Sequence, residues 1–233
     1  PDGFVLDDQT QKVEIKNGTT IRLTWPNTPE RGRIRIEKVS AEYNDLTKLP
    51  AGSPLPDATF EIFTPDDNEV VDTITTGEDG TAQSQPLYLG RFQVKEIEFP
   101  HGMADTGENI TEVELVYAGQ EVEITETSAS FYNQRQKALV TLDKVLEQDE
   151  TFGIGMNVEI TAVTFGLYAQ EDITAADGSI IPADGLLEIV SVDENGQAMC
   201  KTDLPFGSFY LKELSTDSHY LPSGETFPFT FEY

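Results

Sequence analysis

Arg33-Ile34-Arg35-Ile36-Glu37-Lys38-Val39 alternates apolar and charged side chains, the pattern of a half-buried strand. Successive strand side chains point to opposite faces, so Ile34 and Ile36 look into a core. Lys38, two positions on, must look the same way. The same phase recurs at Phe92-x-Val94-x-Glu96, which aims a glutamate inward, and at Phe131-x-Asn133, which aims a carboxamide inward. An amine, an acid and an amide are therefore expected in one core. The alternative is a buried salt bridge beside an amide, and a register slip of one residue would turn all three to solvent.

Burial disfavours the charged forms of both Lys38 and Glu96. A neutral amine is a nucleophile, and a protonated carboxyl can polarise the Asn133 carbonyl and shuttle the proton that lets ammonia leave. The expected product is an amide between Lys38 and Asn133, with Glu96 as the catalytic group. This is a single-turnover self-modification and not catalysis on a substrate.

The chain has 233 residues with 38% hydrophobic and 9% aromatic content, enough for about two packed domains. Its formal charge is −27, from 42 Asp and Glu against 15 Lys and Arg, which disfavours nucleic acid and anionic membranes as partners. The single cysteine, Cys200, cannot build an internal disulfide and is expected as a small core thiol. No apolar run is long enough to span a membrane and no leader pattern opens the chain, which is expected to be a mature product or a piece of something longer.

Internal repetition sets the organisation. Asn27 precedes Lys38 by 11 residues, Asn133 precedes Lys144 by 11, and the two pairs are offset by 106. Ile34-x-Ile36-x-Lys38-Val39 matches Val140-x-Leu142-x-Lys144-Val145. Gly90-Arg91-Phe92-Gln93-Val94-Lys95-Glu96 matches Gly207-Ser208-Phe209-Tyr210-Leu211-Lys212-Glu213, and Thr59-Phe60-Glu61-Ile62-Phe63 matches Thr164-Phe165-Gly166-Leu167-Tyr168. Short alternating runs between turn clusters, without a sustained helical period, predict tandem all-β sandwiches.

Residues 1–30 read as the closing strands of a preceding copy: Val13-Glu14-Ile15 and Ile21 to Asn27 around a Lys16-Asn17-Gly18 turn, with Trp25 in phase with the core. Residues 31–136 form a complete copy. Residues 137–233 form a second one, with an insertion near Gln170–Gly178 that is expected to hold a helical turn. Its Phe227-x-Phe229-x-Phe231-x-Tyr233 run aligns with Ile110–Tyr117, so its asparagine-bearing strand is missing. Lys144 and Glu213 thus lack an asparagine in their own copy, and Asn27 lacks a lysine in its own. Two readings stay open. Either a longer array was trimmed at both ends, or residues 1–27 of one molecule complete residues 137–233 of another, head to tail.

These motifs resemble the SpaA and CnaB type of immunoglobulin-like, prealbumin-like domain found in surface adhesins and pilins of Gram-positive bacteria. The lysine-bearing first strand, the Gly-x-Phe-x-x-Lys-Glu block and the closing Phe-x-Asn strand carry the resemblance, as do Phe165-Gly166-Leu167-Tyr168-Ala169 and the block ending at Glu213. It implies a spontaneous isopeptide bond between Lys38 and Asn133 assisted by Glu96, with Lys144 and Glu213 as the matching pair. It also implies a wall-anchored extracellular parent with neighbouring repeats as partners. Neither a Val-Tyr-Pro-Lys pilin motif nor a Leu-Pro-x-Thr-Gly sorting signal is present, since Leu221-Pro222-Ser223-Gly224-Glu225 lacks the threonine.

Other features read as structural. His101 and His219 sit among Pro100, Gly102 and Pro222 and are expected as surface loop residues. Asp66-Asp67-Asn68-Glu69 and Asp193-Glu194-Asn195-Gly196 lack the oxygen spacing of a calcium loop. No metal or other cofactor is expected, and no pair of carboxylates is singled out for glycoside hydrolysis. The function expected is mechanical, that of a stalk module. The alternative is a module that binds host protein or glycan through its loops.

Overall fold

A computed structural model describes every residue except Pro1, Thr106 and Glu108. The chain divides into two compact units. One comprises the chain up to Ala41 with Gly52–Gln134, and the other comprises Glu42–Ala51 with Arg135–Tyr233. Both are built of strands, and no helix among the described residues is long and apolar enough to cross a membrane.

The first unit has two large sheets. Ile110–Leu115, Gly90–Glu98, Thr59–Phe63 and Val70–Thr75 lie side by side in that order, all antiparallel. Opposite them, Arg31–Ser40 sits between Thr81–Gln83 and Ile124–Arg135, with Leu87–Tyr88 pairing at its start. The pairing of Arg31–Ser40 with Ile124–Arg135 is parallel and runs from Arg31↔Ile124 to Ser40↔Asn133. Parallel neighbours cannot be joined by a hairpin. Here the crossover is everything between them, so residues far apart in sequence end adjacent in the sheet. Ile34, Ile36, Phe60, Ile62, Phe92, Val94, Leu115 and Phe131 fill the space between the sheets.

In the second unit, Leu186–Ser191, Thr164–Ala169, Gly207–Ser215 and Thr226–Phe231 form an antiparallel sheet. Its strand order is that of the first sheet above, with Thr226–Phe231 in the place of Ile110–Leu115, where the alignment of the phenylalanine run put it. Val163, Phe165, Leu167, Val190, Cys200, Leu204, Phe209 and Leu211 make its core. Cys200 is buried, and loss of solvation pushes its thiol up to about 11. The second sheet is reduced to Thr141–Asp143 paired with Gln197–Met199.

Three expectations are corrected. Residues 13–15 and 21–27 form no strand: among the described residues only the Asn17-Gly18 turn survives, and short Phe4–Val5 and Thr28–Pro29 strands pair instead. Trp25 is consequently 43% exposed and not a core residue. The cause is physical, since an isolated two-stranded hairpin is at best marginal without a sheet to pack on. The insertion near Gln170–Gly178 holds a small hairpin, Ile173–Thr174 with Ile180–Ile181. The helical turn, a 3-10 helix, falls at Val158–Ala162.

One tight turn recurs in both units. Gly80 and Gly196 have φ of +70° and +78°, and each accepts a hydrogen bond from a lysine N–H, Lys38 or Lys144, at 2.7 Å. A β-carbon on Gly80 would lie 2.5 Å from the Lys38 carbonyl oxygen, and one on Gly196 would meet the Lys144 carbonyl. Gly80→Ala is therefore expected to cost more than the ~1–2 kcal/mol that left-handed backbone alone imposes. A thermal melt in which Gly80→Ala matches the parent would contradict that.

Candidate functional site

The strand Arg31–Ser40 buries every second residue, Ile34, Ile36, Lys38 and Ser40 among them. Lys38 is fixed through its backbone, its N–H donating to Gly80 and its carbonyl accepting from Leu55 at 2.9 Å. The strand Gly90–Glu98 turns Phe92, Val94 and Glu96 to the same interior, and the strand Ile124–Arg135 does so with Ala129, Phe131 and Asn133. Phe131 is the register partner of Lys38. Asn133, two residues further, shares its face. A register shift between Thr59 and Phe60 sets Phe60 against Glu96 in the other sheet.

Lys38, Glu96 and Asn133 are 0%, 1% and 2% exposed. Lys38 Nζ donates to Glu96 Oε2 at 2.7 Å, and Asn133 Nδ2 reaches the same oxygen at 3.4 Å. Nδ2 also lies 3.5 Å from the Ala104 carbonyl oxygen. Glu96 Oε1 and Asn133 Oδ1 are buried and make no hydrogen bond among the described residues. Phe60 and Phe131 pack on each other at 4.8 Å and together lie to one side of the amine, with ring centroids 5.9 and 5.8 Å from Nζ. Their π faces favour a cation, yet they also keep water away.

Loss of solvation governs the titration of the pair. It holds the Lys38 amine below the usual lysine range and the Glu96 carboxyl above the usual glutamate range, although each partner's hydrogen bond and charge pull the other way. The neutral amine and the neutral acid are the forms that burial favours. Glu96 touches both the lysine and the amide, so one carboxyl oxygen serves both.

The second unit repeats two-thirds of this arrangement. Lys144 Nζ lies 3.1 Å from Glu213 Oε1, an ion-pair distance without hydrogen-bond alignment, and Ser223 N–H donates to Glu213 Oε2 at 2.7 Å. The shift between Thr164 and Phe165 sets Phe165 against Glu213, as Phe60 stands against Glu96. No carboxamide completes it among the described residues. Asn27 lies exposed, outside any strand.

The closeness of Phe60 and Phe131 to the amine, and the bonds from the lysine N–H groups to Gly80 and Gly196, were not singled out in the sequence. Their signal was present: Phe60 and Phe165 occupy matching positions, and Glu78-Asp79-Gly80 parallels Glu194-Asn195-Gly196 ahead of a short strand. Glu30 is also buried, accepting from the Ala118 N–H at 3.0 Å. His101 and His219 lie exposed on turns, His219 against Asp217. Asp67 and Asp193 accept N–H groups of their own turns, and no group of three or more potential metal ligands occurs among the described residues.

Residues 32–129 match the family model of the SpaA prealbumin-like fold domain. Among solved structures the chain is similar to the Bacillus anthracis TIE protein, with 21% identity, a TM-score of 0.58, and coverage of 88% of this chain and 32% of that one. It is also similar to a streptococcal ancillary pilin, at 19% identity and TM-score 0.37 over 95% of this chain and 65% of that one. A further likeness is to the shaft pilin SpaA of Lactobacillus rhamnosus GG in its D295N form, at 12% identity and TM-score 0.32 over 86% and 94%. No curated protein matches. The resemblance to SpaA-type domains thus holds for the domain spanning residues 32–129, and the fold is all-β and prealbumin-like. The chain spans about a third of the length of the TIE protein.

Variants unable to form any Lys38–Asn133 bond isolate the cost of burial. Glu96→Ala leaves the amine buried without its anion, and adding Lys38→Met should recover about 3 kcal/mol in urea unfolding. Equal stabilities would show that the amine escapes to solvent. With Lys38→Met alone, Glu96 keeps a folded pKa above its unfolded value, so its favourable contribution is present at low pH and is lost as pH rises through the folded pKa. Stability relative to Lys38→Met/Glu96→Gln should accordingly worsen from acid toward neutral pH.

Proposed function

We propose that the chain is a stalk module of a Gram-positive cell-surface adhesin or pilus-like protein, strengthened by a self-formed amide between Lys38 and Asn133. Residues 31–136 are then one complete module, with residues 1–30 and 137–233 parts of its neighbours in a wall-anchored extracellular parent. The observation that carries this reading is that Lys38 Nζ and Asn133 Nδ2 converge on one oxygen of Glu96 in a dry interior.

The chemistry uses only these groups. Lys38 in its neutral form attacks Asn133 Cγ, the Nζ–Cγ bond forms, the Cγ–Nδ2 bond breaks, and ammonia leaves. Protonated Glu96 polarises the carboxamide oxygen, returns a proton to the departing nitrogen and takes one from the amine. Rotation of the Asn133 amide brings its buried, unpartnered Oδ1 onto the carboxyl for this step. Two costly buried groups become one neutral amide.

The mechanical consequence follows from topology. Lys38 and Asn133 lie near the ends of parallel neighbours, so tension entering at Arg31 crosses the new amide and leaves beyond Asn133. The roughly 95 residues between them lie off the load path, and closing a loop of that size stabilises by on the order of 4 kcal/mol in the chain-entropy model. Such a bond serves where cysteine pairs are absent.

Intact mass tests the proposal. The purified chain should be lighter than its sequence by one ammonia, and Lys38→Ala, Glu96→Ala and Asn133→Ala should each restore the full value predicted from their own sequences. A parent chain of full unmodified mass would refute it.

A further inference from the structure

The first unit has a hollow of about 500 Å³ at the end where Arg31–Ser40 and Gly90–Glu98 start, away from Lys38 and Glu96. Arg31 and Tyr88 are register partners in an antiparallel pair, so their side chains leave the sheet on one side. The Arg31 guanidinium lies over the Tyr88 ring, 3.5 Å from its centroid. Such stacking occupies a face of the guanidinium and leaves its in-plane N–H donors free. Arg91, on the other sheet, lines the same hollow. Its register partner is Glu114, yet neither arginine makes an ion pair or a side-chain hydrogen bond among the described residues. Two arginines stay unpaired in a chain with 42 acidic side chains against 15 basic ones.

Charge and lining together define what fits. Against the two arginines, Asp66 is the one acid among the described residues that line the hollow, so its balance is positive in a chain of net charge −27. Glu112 and Glu114 stand beyond Arg91, in an adjoining hollow of about 410 Å³. They oppose a ligand with a run of acids, and a single carboxylate is the better match. A guanidinium fork takes a carboxylate in two hydrogen bonds. Most of the lining is apolar, Pro65, Pro86 and Leu89 included, and the Gln85 amide already donates to the Val71 carbonyl at 2.9 Å. A sugar ring would press hydroxyls onto walls with few partners for them, which costs free energy. An apolar side chain beside a carboxylate suits both parts of the lining.

We propose that this hollow is a peptide-docking site, whose occupant is a segment of a partner protein in which one Glu or Asp is flanked by apolar side chains. Arg31 and Arg91 hold the carboxylate, and the flanking side chains lie against Pro65, Pro86 and Leu89. Tyr88 is a positioning residue that keeps Arg31 in place. The site is independent of the amide proposed for Lys38 and Asn133.

Titration of the isotope-labelled full chain with acetyl-Leu-Glu-Leu-amide, followed through backbone amide chemical shifts, tests this. Saturable shifts are expected at Tyr88, Gly90 and Arg91. Exchanging the peptide's Glu for Gln should weaken binding about tenfold or more, as should Arg31→Gln or Arg91→Gln in the chain, each removing a charge-assisted hydrogen bond. Tyr88→Leu should weaken the Glu peptide and leave the lower affinity of the Gln peptide unchanged, which separates positioning of Arg31 from loss of apolar contact. Shifts away from the hollow should match the parent in every variant, and the exchange of Glu for Gln in the peptide needs no variant at all. The proposal is overturned if the Glu peptide causes no saturable shift, if the Gln peptide binds equally well, or if binding survives Arg31→Gln combined with Arg91→Gln. Glucuronate binding as tightly as the Glu peptide also overturns it, since an acidic sugar would then be the occupant.

Discussion

A lysine amine held in an apolar interior is the constraint on which this domain turns. Lys38 is wholly buried beside two packed phenylalanine rings, and its ionic partner is an equally buried glutamate. An ion pair in such a place gains less from attraction than it loses in hydration unless its geometry is excellent. Here Glu96 Oε1 is left without a hydrogen bond, and so is the neighbouring Asn133 Oδ1. The arrangement is a poor resting place for charge. The proposed condensation would remove the charge and the unpartnered amide together.

The rest of the fold serves that meeting. Parallel pairing of the first and last strands places Lys38 and Asn133 on one face, and the shifted register at Phe60 brings Glu96 against them from the opposite sheet. The glycine turn at Gly80 allows a loop to approach the lysine backbone closely enough to bond it. The last two devices recur in the second unit, at Phe165 and Gly196, beside the Lys144–Glu213 pair. The one absent among the described residues is the strand that carries the amide.

Period-two alternation made the core of this site legible in the sequence. Lys38, Glu96 and Asn133 each continue an apolar phase, and all three are buried as that phase requires. The antiparallel partner of the Gly207–Ser215 strand was legible for the same reason, through Phe227, Phe229 and Phe231. What local pattern could not supply was context. Ile21, Leu23 and Trp25 alternate just as well, yet a strand needs a sheet to pair with, and among the described residues they belong to none. The affiliation of residues 42–51 with the second unit depends on contacts such as Asn44 with Asp203, 159 residues away. The approach of Phe60 to Lys38 likewise depends on how two sheets face one another.

The most direct measurement is a crystal structure of the purified chain at a resolution that separates bonded from non-bonded atoms. The account predicts continuous density from Lys38 Nζ to Asn133 Cγ with a planar amide of about 1.33 Å and Glu96 against it. Separate side chains, with Asn133 retaining its own nitrogen, would contradict it.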